Sequence, residues 1–345
     1  MASAPSAGRI RMALGRAAQA LPALFGVVLV TFLLTRALPG DPAAYFAGPA
    51  ADEQSIQQIR ESLGLDLPLW QQFFVYLGDL VQGNLGTSIS TGQPVLEELG
   101  RRLPASLELT LGALLLSLLI AVPMGVLAGT RPGKPIDHLC RIVATAGVSL
   151  PTFFTGIALL FVFYYLLDWA PSPVGRLDFA YLPPPTVTGF YTVDALLAGD
   201  LETAWAALGQ LVLPMVTLAL FTLAPIARMT RGAMLQALNS DFIRTARAAG
   251  LSPRVVLNRY AFRNAMLPVI TTLGMVFSFT LGANVLVEKV FAWPGIGSFA
   301  VDALVVSDYA AVQGFVLSMA LLFVGLNLLI DIAYTLIDPR IAADD

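Results

Sequence analysis

The sequence predicts an all-α integral membrane protein of six transmembrane helices, and three observations predict it. Apolar residues make up 57% of the chain and charged residues only 12%, against roughly 25% charged in soluble domains. The apolar residues gather in six uncharged windows, each long enough to cross a hydrocarbon core of about 30 Å as a helix. Arginine and lysine fall mainly between alternate windows, the bias that cytoplasmic loops carry.

Residues 1–16 hold Arg9, Arg11 and Arg16 and form the expected cytoplasmic N-terminus. The first window, Ala17 to Thr35, follows. A cleaved signal peptide competes here, but its apolar region is shorter and precedes a small-residue cleavage site; five further windows favour an anchor. The outer loop from Pro39 to Ala105 is too long for a plain connection. Within it Trp70, Phe73, Phe74, Leu77, Leu80 and Val81 recur at helical spacing between Pro68 and Gly83, which predicts an amphipathic helix lying flat on the span ends or the lipid interface. Docking of an outer protein is the functional alternative for it.

The remaining windows are Leu109 to Thr130, Ile142 to Leu167, Thr203 to Ala227, Asn264 to Val287 and Tyr309 to Ile330. A seventh uncharged stretch, Phe179 to Val193, contains Pro183, Pro184 and Pro185, which forbid a continuous helix, so it reads as a loop. Pro123, Pro151, Pro214 and Pro225 interrupt the spans, by ordinary bundle packing or because a water-filled path satisfies the freed backbone groups. Six spans put both ends on one side. The basic bias makes that side cytoplasmic, together with the 228–263 insert and the 339–345 tail, so residues 17–338 form one transmembrane domain.

Several chemistries are disfavoured. The net charge of -3 gives no reason to expect nucleic acid. Cys140 and His138 are the only residues of their types, which excludes an intrachain disulfide and leaves no cysteine- or histidine-based metal site; they read as a small helix-end residue and a solvated loop residue. No glycine loop ends in Gly-Lys-Ser or Gly-Lys-Thr, so ATP is not expected to bind. The six windows hold no ionisable residue of the kind a proton- or sodium-coupled carrier needs. Asp331, one turn after Asn327, lies just past the last window and reads as a packed helix-end carboxylate, with a proton site as the alternative.

The one large polar segment with internal design runs from Ser240 to Pro268. Ser240 or Asp241 caps a helix over Phe242 to Ala249, Gly250 falls at the left-handed C′ position, and Leu251 supplies the C″ contact. Ser252 and Pro253 then read as N-cap and first residue of a second helix, reaching Leu267 and Pro268. A solvated basic loop serving only the charge bias would need neither caps nor a C′ glycine.

This segment resembles the cytoplasmic loop of binding-protein-dependent ABC importer permeases. Arg244, Thr245 and Ala246 stand in the family's Glu-Ala-Ala places, Gly250 at its glycine, Leu267 and Pro268 at its Leu-Pro. The departures from Glu-Ala-Ala and the longer gap are those of the dipeptide/oligopeptide/nickel branch. The resemblance extends to Leu-Pro-Gly-Asp-Pro at Leu38 to Pro42, Leu-Gly-Leu-Asp at Leu63 to Asp66, Gly-Asn-Leu-Gly at Gly83 to Gly86, Thr-Gly-Gln-Pro-Val at Thr91 to Val95, Phe-Ala-Trp-Pro-Gly-Ile-Gly at Phe291 to Gly297 and Ile-Asp-Pro-Arg at Ile337 to Arg340. The long first outer loop makes it most similar to the B-type subunit.

The resemblance implies a type I importer permease fold in a bacterial cytoplasmic membrane, with no cofactor in this chain and ATP and Mg held by partner subunits. The implied partners are a C-type permease, two ABC ATPases, an extracytoplasmic solute-binding protein and the lipid bilayer. It assigns ATPase coupling to Asp241, Phe242, Ile243, Arg244, Thr245, Ala246, Arg247, Ala248, Gly250 and Leu251. Phe242 and Ile243 would enter a hydrophobic cleft, and Arg244 and Arg247, one turn apart, would meet acidic residues. Di- and oligopeptides are the branch's commonest cargo; nickel complexes and oligosaccharides stay open, as do an ion-coupled carrier or channel and a membrane subunit without a pore.

Overall fold

The computed structural model of the protein describes residues 6–37, 41–48 and 51–337, and all its regular elements are helical. In chain order these are α1 (Ser6–Ala37), α2 (Pro42–Ala47), α3 (Glu53–Ser62), α4 (Leu69–Val81), α5 (Val95–Thr130), α6 (Pro135–Ser149), α7 (Thr152–Leu159), α8 (Tyr191–Leu197), α9 (Leu201–Leu238), α10 (Asp241–Ala248), α11 (Pro253–Val255), α12 (Phe262–Val290), α13 (Ile296–Val305) and α14 (Tyr309–Ile337). π-helical turns at Leu160–Leu166 and Val256–Ala261 extend α7 and join α11 to α12. Leu38, Pro39 and Gly40, the first five residues, the 339–345 tail and the side chain of Asp331 lie outside the described residues.

Among the described residues four helices are long and apolar enough to cross a membrane: Val95–Thr130, Leu201–Leu238, Pro253–Val290 and Tyr309–Ile330. Pro135–Gly147 with Thr152–Leu166 would make a fifth. The expected continuous span from Ile142 to Leu167 is corrected: the two halves bend by 102° at Pro151. Proline removes its own N–H and pushes the preceding residue out of the helical region. Leu150 is accordingly extended, at φ -106° and ψ 135°.

The other prolines behave differently from the reading of the sequence. Pro214 and Pro225 sit inside the unbroken 38-residue α9, and Pro123 inside the 36-residue α5. Each such proline forgoes one intrahelical bond and crowds the preceding turn; burial along α9 holds the helix together across them. The uncharged windows also understate the helices. α5 begins at Val95, well inside what reads as outer loop, and α9 and α12 run on past their basic residues. The carboxylates of Glu108 and Glu288 therefore lie inside helices, 5% and 1% exposed, although both fall one residue outside an uncharged window. His138 and Cys140 are likewise within α6; the histidine is exposed and the cysteine buried.

The chain divides into two compact units, one of residues 1–104 and 295–328, the other of residues 105–294 and 329–345. In the first, the start of α5 packs with α13 and the start of α14 through Val95, Leu99, Ile296, Phe299, Ala303 and Val312. Gly314 is required there, because a Cβ on it would come within 2.5 Å of the Val95 side chain. The buried Asp308 carboxylate accepts the Ser88 hydroxyl at 2.6 Å and the Ala311 N–H at 3.2 Å, so it both caps α14 and ties down the 84–94 turn. α4 lays Phe73 against Phe25 and Phe32 of α1.

In the second unit α9 is the central helix, packed on α12, α6, α7 and α8. Trp293, 1% exposed, closes one core and donates Nε1–H to the Ala105 carbonyl at 2.9 Å. Asn284 reaches Thr110 at 3.2 Å and Glu288 at 3.0 Å, and Glu288 also accepts the Ser106 hydroxyl, which zips α12 to α5 with polar bonds. Leu111, Leu115 and Leu119 of α5 stand exposed at four-residue spacing, an apolar stripe that suits hydrocarbon rather than water.

Candidate functional site

The segment between α9 and α12 is built around one short capped helix. α10 ends in a complete Schellman motif: Gly250 N–H bonds the Arg247 carbonyl at 3.0 Å, and Leu251 N–H bonds the Ala246 carbonyl at 3.3 Å. Gly250 has φ +75°, and a Cβ there would meet nothing within 4 Å. The glycine is thus needed for backbone conformation and not for space. At the other end the Ser240 hydroxyl turns back to the Ala237 carbonyl and leaves the first N–H groups uncapped, so Ser240 occupies the N-cap without the side-chain bond its identity suggests.

α10 is strongly two-faced. Ile243 is completely buried and Ala246 nearly so, packed in one cluster with Ala233, Met234 and Ala237 of α9 and Val256, Ala261 and Ala265 beyond. The expectation that Phe242 and Ile243 form a joint apolar tip is therefore corrected: Ile243 anchors the helix to its own chain, and Phe242, 43% exposed, is the apolar side chain left at the surface. Asp241, Arg244, Thr245, Arg247, Ala248, Gly250 and Leu251 are exposed. A helix repeats every 3.6 residues, so fixing 243 and 246 inward turns 244 and 247 outward along the adjacent face.

The electrostatics of that face are one-sided. Arg244 and Asp241 pair at 3.3 Å with side chains 75% and 94% exposed, a contact that water and salt screen heavily. Arg247 makes no ion pair among the described residues. Arg254, Arg259 and Arg263 are also exposed, and Asp241 is the one acidic residue between Ser240 and Pro268. Such a face presents guanidinium forks suited to carboxylates.

The second short helix expected from Ser252 to Pro268 is not a separate element. α11 starts at Pro253, with Ser252 before it, and passes through the π turn Val256–Ala261 straight into α12; Leu267 and Pro268 lie within one helix running Pro253–Val290. The π turn packs on α10 and α9. Nothing in the apolar periodicity marks it. α10 therefore sits on a buried cluster shared by the ends of two 38-residue helices.

Two polar anchors of this unit went unseen in the sequence. Asp137 at the start of α6 takes a two-pronged bond from Arg231 of α9 and the Gly133 N–H at 2.9 Å. Glu108 pairs with Arg176 at 2.7 Å, both nearly buried, and accepts the Thr192 hydroxyl at 2.6 Å. Arg176 also bonds the Gly189 carbonyl and lies 3.7 Å over the Tyr191 ring, which fastens the proline-rich loop to α5. The partners lie 68 positions apart in sequence, so no local pattern announces them.

Comparison with known proteins covers almost the whole chain. The family described as binding-protein-dependent transport system inner membrane component matches residues 121–343, and its N-terminal companion matches residues 9–110. A probable D,D-dipeptide transport system permease protein of Escherichia coli K12 is 47% identical over 92% of this chain and 93% of its own. A di/tripeptide transport system permease protein of Pseudomonas aeruginosa is 42% identical over 93% and 95%, and the dipeptide transport system permease protein of Escherichia coli K12 is 38% identical over 96% and 98%.

Proposed function

This chain belongs to the binding-protein-dependent transport system inner membrane components, and from that premise we propose that it is the membrane-spanning subunit of an ATP-driven importer of dipeptides and short oligopeptides. It is a permease and not an enzyme. A solute-binding protein delivers the peptide from outside, a second C-type permease completes the path, and two ABC ATPases hold ATP and Mg. In this reading α1 and the bent α6–α7 pair complete six spans with the four long helices. The arginine bias supports a cytoplasmic location for both termini and the 228–263 insert, in a bacterial inner membrane.

The observation that carries the mechanism is α10, a capped helix whose inner face is fixed by Ile243 and Ala246 and whose outer face offers Phe242 beside Arg244 and Arg247. Phe242 enters an apolar cleft of the ATPase and the arginines meet acidic groups around it. Closure of the ATPases on ATP moves α10 as a rigid lever, and α9 and α12 carry the movement into the path.

A second reading, an ion-coupled carrier, draws on the buried Glu288. That carboxylate is held by Ser106 and Asn284 in the manner of a helix-to-helix link, which favours a structural role. The deciding experiment is reconstitution in liposomes. Uptake of labelled alanylalanine is expected only with the C-type permease, the ATPases, the binding protein and ATP together. Uptake by this chain alone, driven by a proton or sodium gradient, would overturn the reading.

A further inference from the structure

The first unit contains a cavity of about 200 Å³ whose walls carry opposite charges that do not pair with each other. Arg36, at the end of α1, is held from three sides: Nε donates to Gln72 Oε1 at 2.8 Å, and the guanidinium lies 4.7 Å and 5.0 Å from the ring centres of Phe32 and Tyr309. This clamp fixes its orientation, yet Nη1 is buried and makes no hydrogen bond among the described residues. Nη2, which is not enclosed in this way, makes no hydrogen bond among the described residues either, and an anion accepting from it would form a charge-assisted bond.

Asp79 of α4 lines the same cavity. Its carboxylate makes no hydrogen bond or ion pair among the described residues. Gln72, which holds Arg36, and Asp79 are seven positions apart on α4, a rise of about 10 Å along the helix at 1.5 Å per residue. An extended dipeptide advances about 3.3–3.6 Å per residue. With a hydrogen bond of roughly 2.8 Å at each end, its ammonium and carboxylate bridge a spacing of that order. Tyr76, between Gln72 and Asp79 on α4, lines the same cavity, and burial pushes its phenol up to about 12.

We propose that this cavity is a binding site for a zwitterionic dipeptide, with the peptide carboxylate on the Arg36 guanidinium and the peptide ammonium on Asp79. The choice of a peptide among zwitterions rests on the transport reading above; the opposed charges and their spacing do not.

The test is equilibrium binding of labelled alanylalanine to the full chain in phosphatidylcholine nanodiscs. Asp79 makes no internal bond, so Asp79→Asn leaves the fold intact and is expected to weaken alanylalanine by about tenfold while leaving N-acetyl-alanylalanine unchanged. In the wild-type chain both N-acetyl-alanylalanine and alanylalanine amide should bind about tenfold more weakly than the free dipeptide. Equal binding of the three probes, or no effect of Asp79→Asn, overturns the proposal. So does phosphatidylethanolamine retained by the wild-type chain and lost in Asp79→Asn, which would assign the cavity to a lipid headgroup. Uptake is not the readout: failed transport with intact binding would sink the transport reading and leave the cavity.

Discussion

Two arginine–carboxylate pairs in the second unit differ in almost everything but chemistry. Arg176 and Glu108 meet at 2.7 Å with 7% and 5% of their side chains exposed; Arg244 and Asp241 meet at 3.3 Å with 75% and 94% exposed. Removing two charges from water is costly, and only good geometry with further hydrogen bonds offsets it. The Glu108 pair has these in Thr192, Gly189 and Tyr191. The Arg244 pair has none, so it adds little stability, and its guanidinium can exchange an internal partner for an external one at small cost. The first pair fixes the molecule and the second holds nothing in place.

That contrast breaks first at Glu108. Glu108→Ala would leave Arg176 buried without its counter-ion, and breaking one partner of a buried pair costs about 3–5 kcal/mol. The thermal midpoint of the purified chain in detergent should fall sharply, and proteolysis within 170–190 should accelerate as the loop detaches. Glu108→Leu combined with Arg176→Met removes both charges and should recover most of the loss. Equal destabilisation by the single and double variants would show that the pair contributes through shape alone.

An intermediate effect is expected at Asp194, which anchors the same loop by hydrogen bonds instead of a counter-ion. It accepts the N–H groups of Val187, Thr188 and Gly189 and the Thr188 hydroxyl at 2.7–3.2 Å. Burial, the largest single influence, pushes its carboxyl up, but those four bonds more than offset it and hold it below the usual carboxylate range. A depressed folded value means stabilisation that is fully present above the unfolded value of about 3.9 and lost as pH falls through the folded one. Hydrogen exchange at Thr188 and Gly189 should therefore be slow and flat from pH 7 to about 5 and accelerate only in stronger acid, after correction for intrinsic rates. Asp194→Asn should exchange faster at neutral pH and lose the acid step.

Much of this architecture was legible because apolar windows report where a chain avoids water. The windows found the cores of α5, α9, α12 and α14, and Pro68 and Gly83 bounded α4 to within a residue. They misjudged ends, because Glu108 and Glu288 end an uncharged run without ending a helix once Arg176 or Ser106 satisfies them. The α10 site was legible in its stop signal, since Gly250 and Leu251 obey local backbone rules. The fate of Ile243 was not: whether an apolar residue faces a partner or its own chain depends on where Met234 and Val256 are brought, which no local pattern encodes. Arg36 and Asp79 were opaque for the same reason, their cavity being assembled from α1, α4 and α14.

The smallest expected changes in stability are at the exposed positions of the α10 segment. Gly250→Val introduces a β-branched residue at φ +75° into open space, so the cost is the left-handed strain alone, on the order of 1–2 kcal/mol. Arg244→Glu with Arg247→Glu costs less still, a few tenths of a kcal/mol from like charge beside Asp241. Neither should reduce membrane insertion or peptide binding by the solute-binding protein. Ile243→Ala, by contrast, removes a buried anchor at about 2–5 kcal/mol and should unseat the helix. If α10 is the docking lever, the charge reversal should abolish ATPase co-purification and transport, because a reversed charge against an acidic rim is worse than a missing one. Gly250→Val should keep part of the ATPase association yet uncouple hydrolysis from peptide-loaded binding protein, since the surface remains but its shape is no longer held. Full transport and peptide-stimulated hydrolysis in both variants would reduce the segment to a solvated basic loop and remove the distinction between the two arginine pairs.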